Sequence, residues 1–156
     1  MAWRMEPRVE REFVDQFALL FENAGLPPVA GRILGRLLCC DPAHQSSQEL
    51  AGWLGASAGA ISTATRMLVQ FGLLERVRFR GDRAVYFRIR PDAWEAIWQR
   101  EIEEVGFLRR LADRGLASLD GAPEDVRRRM EDFRDLYALL EDELPRIQAR
   151  WKERKP

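Results

Sequence analysis

Arginine, the side chain best suited to binding phosphate, is concentrated in the middle of this chain. The chain as a whole carries no net charge, because 25 lysines and arginines balance 25 aspartates and glutamates. Residues 57–90, however, contain seven arginines against two acids, whereas residues 1–56 carry five basic and seven acidic side chains, and residues 91–156 thirteen and sixteen. A guanidinium can bind two phosphate oxygens at once. The central segment is therefore the candidate for contact with a polyanion such as DNA.

The central segment begins with a helical pattern whose outer side could contact base edges. Ser57 is a suitable N-cap for a helix that runs to about Phe71, and Ile61 and Leu68 define its buried side. On the opposite side, Arg66 is the best candidate for a base contact in a major groove. The residues of this helix that we predict to face DNA are Ser57, Gly59, Ser62, Thr63, Arg66 and Gln70.

A two-stranded hairpin follows this helix. Residues 74–80 and 83–90 alternate apolar and polar side chains, and a glycine and an aspartate form the turn between them. Arg80 and Arg83 flank the turn, where we predict that they enter a minor groove. The strand arginines predicted to approach phosphates are Arg76, Arg78 and Arg88.

Helical periodicity predicts five helices in addition, three before the basic segment and two after it. They cover about residues 6–24, 29–40, 47–54, 91–115 and 123 onward. Ser46 or Ser47 caps the third, and Gly55 ends it, so that a helix, a tight turn and a helix follow one another. The predicted apolar face of the first helix consists of Phe13, Phe17, Leu20, Phe21 and Ala24.

The last helix carries a heptad pattern of apolar residues, although Pro145 is predicted to kink or break it. This stripe offers more apolar surface than a small domain can cover, so we predict that a second copy of the chain buries it. The predicted dimer interface consists of Val126, Met130, Phe133, Tyr137, Leu140, Leu144 and Ile147.

These elements predict a mainly α fold with a small two-stranded β wing, that is, a winged helix-turn-helix with long N- and C-terminal dimerisation helices. Residues 1–25 are the predicted N-terminal dimerisation helix. Residues 26–90 form the predicted DNA-binding domain, and residues 91–156 the C-terminal dimerisation helices.

Several short runs between Phe13 and Arg90 resemble one known family. They are Gly25-Leu26-Pro27-Pro28, Gly31-Arg32-Ile33-Leu34-Gly35, Glu49-Leu50-Ala51, Leu54-Gly55-Ala56-Ser57, Gly72-Leu73-Leu74-Glu75-Arg76-Val77 and Gly81-Asp82-Arg83. The chain resembles the MarR family of transcriptional regulators, specifically the GbsR-like branch, named for the glycine betaine synthesis regulator. The resemblance implies a homodimer on a pseudo-palindromic operator in double-stranded DNA, and usually repression that a small-molecule effector relieves.

Aromatic side chains could wall a pocket for that effector. We predict Phe13 and Phe17 on the first helix, with Trp94 and Trp98 on the fifth, as its walls. A flat apolar ligand, or a quaternary ammonium held by cation-π contacts, would fit such walls. Ordinary core packing is the alternative explanation for each of these residues.

The two cysteines, Cys39 and Cys40, are adjacent, so a disulfide between them is unfavourable. With a single histidine, His44, and no second cysteine pair, they do not form a zinc site, and we expect no metal. A thiol redox-sensing regulator stays an alternative, with Cys40 as the reactive residue.

Other classes of function have less support. The chain has no phosphate-binding glycine loop and no nucleophile elbow, so we expect neither an enzyme nor a cofactor. No apolar run approaches the roughly 20 residues of a membrane span, and the first residues do not form a signal peptide, so we expect a cytoplasmic protein without membrane contact. A winged helix that serves as a protein-protein adaptor remains the other alternative.

Overall fold

The computed structural model describes residues 5–154, which form six helices and three short strands. In chain order these are α1 (Pro7–Asn23), α2 (Pro28–Cys39), β1 (Gln45–Ser46), α3 (Ser47–Leu54), α4 (Ala58–Gln70), β2 (Leu74–Val77), β3 (Tyr86–Ile89), α5 (Ala93–Ala117) and α6 (Glu124–Glu153). The chain divides into two compact units, and the boundary falls between Ala93 and Trp94. The predicted mainly helical fold with a small β wing is confirmed.

The N-terminal unit has its own apolar core, to which α1 to α4 and the sheet all contribute. Ile33 of α2, Leu50 of α3, and Ile61 of α4 are completely buried there. The other largest buried side chains are Val14, Thr65, Leu68 and Leu74. Burying each large aliphatic side chain contributes roughly 1.5–3 kcal/mol, so this core holds α4 firmly against the rest of the unit.

Side-chain caps fix where α3 and α4 begin. The Ser46 hydroxyl accepts a hydrogen bond from the Glu49 amide at 3.2 Å, and the Glu49 carboxylate accepts one from the Ser46 amide at 2.6 Å. Ser57 caps α4 by accepting from the Ala60 amide at 3.2 Å. Gly55 ends α3 in a left-handed conformation, with φ of 63°, that favours glycine. The helix-turn-helix therefore begins at Ser46, one of the two predicted caps.

The sheet has three antiparallel strands in the order β1-β3-β2, not two. In the hairpin, Leu74 pairs with Ile89 and Val77 with Tyr86, which is the register that a two-residue turn at Gly81-Asp82 dictates. The strands stop at Val77 and Tyr86, so residues 78–85 form a loop where longer strands were predicted. The additional strand, β1, pairs Ser46 with Tyr86.

The side of α1 that is buried within the chain covers only part of the predicted apolar face. Val14, Ala18 and Phe21 are buried, whereas Leu20 is 60% exposed and Phe13 is 36% exposed. At 100° per residue, the predicted apolar face extends around the helix beyond the part that α2 covers. Leu20 and Phe13 of the predicted apolar face are therefore exposed within the described residues, as is Ala24, which lies just after the helix.

Helices α1 and α2 approach each other closely at Gly31. A β-carbon placed there would lie 2.7 Å from the Phe17 carbonyl carbon, a backbone atom that cannot move aside. We expect Gly31→Ala to lower the free energy of unfolding by about 1–3 kcal/mol or more. Gly52→Ala is the matched control, because nothing lies within 4 Å of its β-carbon, and it should stabilise α3 by roughly 0.5–1 kcal/mol. Urea unfolding of the two variants measures both effects, and equal midpoints would contradict this helix packing.

The C-terminal unit consists of α5 and α6, which contact each other through few side chains. Arg109 of α5 forms an ion pair with Glu141 of α6, and Gly115 lies against Met130. Between the helices lies an apolar cleft of about 640 Å³, whose walls include Leu111 and Phe133. The two helices alone therefore leave apolar surface uncovered.

Helix α6 continues through Pro145, so the predicted break is absent. Pro145 is exposed, which allows water to reach the carbonyl that loses its backbone partner. Over its described length, α6 has no buried residue at all. None of the helices within residues 5–154 is long and apolar enough to cross a membrane.

Candidate nucleic-acid interface

Helix α4 presents one polar side to solvent. The structure places Ile61 and Leu68 in the core, as predicted, together with Ala64 and Thr65. The residues predicted to face DNA are all exposed, namely Ser57, Gly59, Ser62, Thr63, Arg66 and Gln70. Their exposure meets the first requirement for entering a groove, while the contact with DNA itself stays a prediction.

Most arginines of the basic segment are free to bind a phosphate. Five of them are exposed, and their guanidinium groups form no ion pair or hydrogen bond within residues 5–154: Arg66, Arg76, Arg78, Arg80 and Arg83. Arg88 instead pairs with Glu75, and Arg90 pairs with Asp92 at 2.6 Å. Five unpaired cations in one compact unit are expected where a polyanion binds, because no acidic neighbour neutralises them.

Arg88 is therefore the weakest of the predicted phosphate contacts. It lies directly opposite Glu75 in the β2-β3 ladder, and opposite charges at such positions attract. The turn at Gly81-Asp82 sets this register, so the sequence already contained the signal for the pair.

A polar cleft of about 470 Å³ separates α4 from the hairpin. Arg76 and Arg78 line one side of this cleft, and Ser47 and Ser62 contribute hydroxyl groups. The hydroxyl of Thr65, also in the wall, already donates to the Ile61 carbonyl at 2.8 Å. Ser47 is an addition to the predicted site, since the sequence suggested only a capping role for it. The cleft has the charge and the hydroxyl donors that suit a phosphodiester strand.

Asp82 organises the tip of the hairpin. Its carboxylate accepts hydrogen bonds from the Ala84 amide at 2.8 Å and from the Tyr86 hydroxyl at 2.7 Å. These two donors, the amide first, hold the pKa of Asp82 below its ordinary value of 3.8. The carboxylate is therefore ionised at neutral pH, and it fixes the loop that carries Arg80 and Arg83.

The surroundings of both cysteines disfavour the thiolate form, and Cys40, the predicted reactive residue, is buried. Burial, followed by the negative charge of Glu10, raises the pKa of Cys39 to about 11. Burial also raises the pKa of Cys40. At pH 7, a thiol of pKa 11 is a thiolate in about one molecule in ten thousand. The structure therefore favours packed thiols over the redox-sensing alternative.

The aromatic residues predicted to wall an effector pocket are divided between the two compact units. Phe13 and Phe17 make an edge contact, with ring centroids 5.1 Å apart, in the N-terminal unit. Trp98 belongs to the C-terminal unit and lines a cavity of about 490 Å³ with Trp151, Ile147, Arg150 and Arg154. Trp94 is half-buried and does not line that cavity. A pocket shared by all four residues stays a prediction.

Comparison with known proteins identifies the family. The sequence model of a protein family described as "MmpR5-like MarR family transcriptional regulator" matches residues 92–154. The HTH-type transcriptional regulator MmpR5 of Mycobacterium tuberculosis is 47% identical over 143 residues, which cover 92% of this chain and 87% of that protein. A crystal structure of a transcriptional regulator superposes with a TM-score of 0.76 at 46% identity, and the match covers 94% of this chain and 99% of the other.

The sequence likeness to MmpR5 extends over nearly the whole of both chains, through the helix-turn-helix, the hairpin and the terminal helices. The resemblance to MarR regulators noted in the sequence is thereby confirmed, although the matched model is the MmpR5-like one. This chain belongs to the MmpR5-like MarR family of transcriptional regulators.

Proposed function

We propose that this regulator binds an operator in double-stranded DNA, with α4 in the major groove and the hairpin tip in the adjacent minor groove. The observation that carries this proposal is the set of five exposed, unpaired arginines on α4 and the hairpin. Arg66 contacts a base edge, Arg76 and Arg78 hold the backbone in the cleft beside α4, and Arg80 and Arg83 enter the minor groove. Selection of bound duplexes from a random library tests the proposal, and equal binding of all sequences would contradict it.

The regulator acts as a homodimer in this proposal. The heptad stripe of α6 is not buried within the described chain, and Phe133 is 36% exposed. Beside it, Leu136 and Leu139 are 53% and 59% exposed. A second copy that covers this surface removes apolar area from water and supplies a second α4 for the other half of a pseudo-palindrome. The terminal segments 1–25 and 91–156 are the proposed dimerisation segments.

Repression relieved by a small effector completes the proposal. The cavity beside Trp98 and Trp151 supports a flat apolar ligand. Arg150 and Arg154 line the same cavity, and their positive charges favour an anionic ligand over the quaternary ammonium that the aromatic residues alone suggested. The finer likeness to the GbsR-like branch stays a prediction.

Tryptophan fluorescence tests the choice between these ligands. We expect an aromatic carboxylate to quench the emission of the wild-type chain and to bind at least about 10-fold more weakly to Arg150→Ala, since an ion pair to the ligand is lost. Quenching by a quaternary ammonium of similar size, and not by the carboxylate, would contradict the anionic assignment.

A further inference from the structure

The loop that carries Arg80 and Arg83 has little backbone support. The ladder between β2 and β3 ends at the pair Val77 and Tyr86. Beyond it, the Asp82 amide donates to the Phe79 carbonyl at 3.1 Å and closes the turn. A loop with one such bond would move freely unless side chains restrain it.

A side-chain network supplies that restraint. It consists of Asp82, Tyr86, Phe79 and His44, and we call it the wing network. The Tyr86 hydroxyl donates to Asp82, and the Tyr86 ring lies 5.1 Å from Phe79 in an edge contact. The rings of Phe79 and Tyr86 also contact His44, at 4.6 and 5.2 Å. Aromatic pairs at these separations attract each other beyond the effect of burial alone.

His44 connects the network to the helix-turn-helix. It immediately precedes β1, whose Ser46 pairs with Tyr86 and caps α3. Tyr86 therefore contacts the hairpin tip through its hydroxyl, and the segment before α3 through its ring and its backbone. Among the described residues, it is the one member of the wing network whose side chain contacts the side chains of all the others.

We propose that Tyr86 is a positioning residue for DNA binding, which holds the hairpin tip at a fixed place relative to α3 and thereby fixes where Arg80 and Arg83 meet the minor groove. This inference rests on the proposed function. Tyr86 itself does not touch DNA in this arrangement. Its contribution is to reduce the conformational freedom that the two arginines lose on binding.

The ionisation of the pair suits this role. The hydrogen bond to Asp82 raises the pKa of Tyr86 above its ordinary value of 10.0, while the pKa of Asp82 is lowered from 3.8. Because the pKa of Asp82 is lowered in the folded chain, the stabilisation of the fold by its ionised carboxylate is present above pH 3.8 and is lost as the pH falls further. Because the pKa of Tyr86 is raised in the folded chain, the stabilisation of the fold by its protonated hydroxyl is present below pH 10.0 and is lost as the pH rises above it. The contact is therefore intact throughout the neutral range.

The test is a double-mutant cycle on affinity for the selected operator. Tyr86→Phe keeps the ring and removes only the hydroxyl, and Arg80→Ala/Arg83→Ala removes the side chains that the hydroxyl is proposed to position. We expect Tyr86→Phe to weaken binding by about 3- to 10-fold in the wild-type chain. In the Arg80→Ala/Arg83→Ala chain the same change should have less than about a 2-fold effect, because no wing contact is left to position.

A second readout needs no DNA. The Ala84 amide, which donates to Asp82, should exchange its hydrogen faster in Tyr86→Phe, while the amides of α4 keep their protection. An equal loss of affinity in both backgrounds, or unchanged exchange at Ala84, would overturn the inference and leave the proposed function intact. A wild-type chain that binds no duplex would instead overturn the proposed function, and this inference with it.

Discussion

Arg66→Ala is expected to weaken binding to the preferred operator by at least about 10-fold and to relax the sequence preference at one position of each half-site. A bidentate contact between an arginine and guanine contributes about 1–3 kcal/mol of discrimination, and a homodimer would lose that contact twice. Arg66 is the exposed, unpaired cation of α4, whose opposite side is held in the core by Ile61 and Leu68. Its guanidinium is therefore presented from a rigid support.

Two further variants separate a base contact from a general loss of charge. Arg76→Ala removes the same charge from the cleft beside α4, and should weaken binding to all duplexes alike. The salt dependence of binding should fall by about two phosphate contacts, one from each subunit of the dimer. Arg128→Ala removes an exposed arginine of α6, and should leave affinity unchanged. The sequence preference of each protein is measured by competition binding with operators that differ from the selected one at a single base pair. If Arg66→Ala lowers affinity equally for every variant, Arg66 contacts a phosphate and the base assignment is wrong.

Leu140→Glu is expected to convert the dimer to a monomer and to reduce operator affinity at least about 100-fold. Leu140 lies in the heptad stripe of α6, and a carboxylate there would be desolvated without a partner, at a cost of several kcal/mol. The loss of DNA binding follows because a single α4 contacts only half of the site. Sedimentation velocity measures the mass of the chain, and fluorescence anisotropy measures the affinity.

Ala149→Glu is the matched control for this prediction. Ala149 lies on the same helix, exposed and outside the heptad stripe, so the same charge should leave the dimer unchanged. The N-terminal unit has its own core, and its thermal unfolding should therefore persist in Leu140→Glu. A Leu140→Glu chain that remains dimeric and binds the operator normally would show that another surface holds the dimer together.

The elements that could be predicted from the sequence are those with strong local determinants. Ser57 and the spacing of Ile61 and Leu68 were sufficient to place α4 and its exposed side. The turn at Gly81-Asp82 was sufficient to set the register of the hairpin. In each case the signal lies within a few residues of the structure that it determines.

The features that were missed depend on contacts between distant segments. Strand β1 has two residues, too few to show any periodicity. The buried side of α1 depends on where α2 packs, so the spacing of its aromatic residues did not show which of them α2 covers. The wing network joins His44 to Tyr86 across the sheet, and no local pattern announces a contact between residues so far apart.

The most direct test of this account is the selection of bound duplexes from a random DNA library by the full chain, followed by measurement of the mass of the resulting complex. We predict a two-fold-symmetric site whose half-sites are centred about one helical turn apart, roughly 34 Å, with two chains on each duplex and an affinity that falls steeply with salt. Absence of any enriched sequence, together with a single chain per duplex or no binding at all, would contradict the account and favour a winged helix that binds an acidic protein partner.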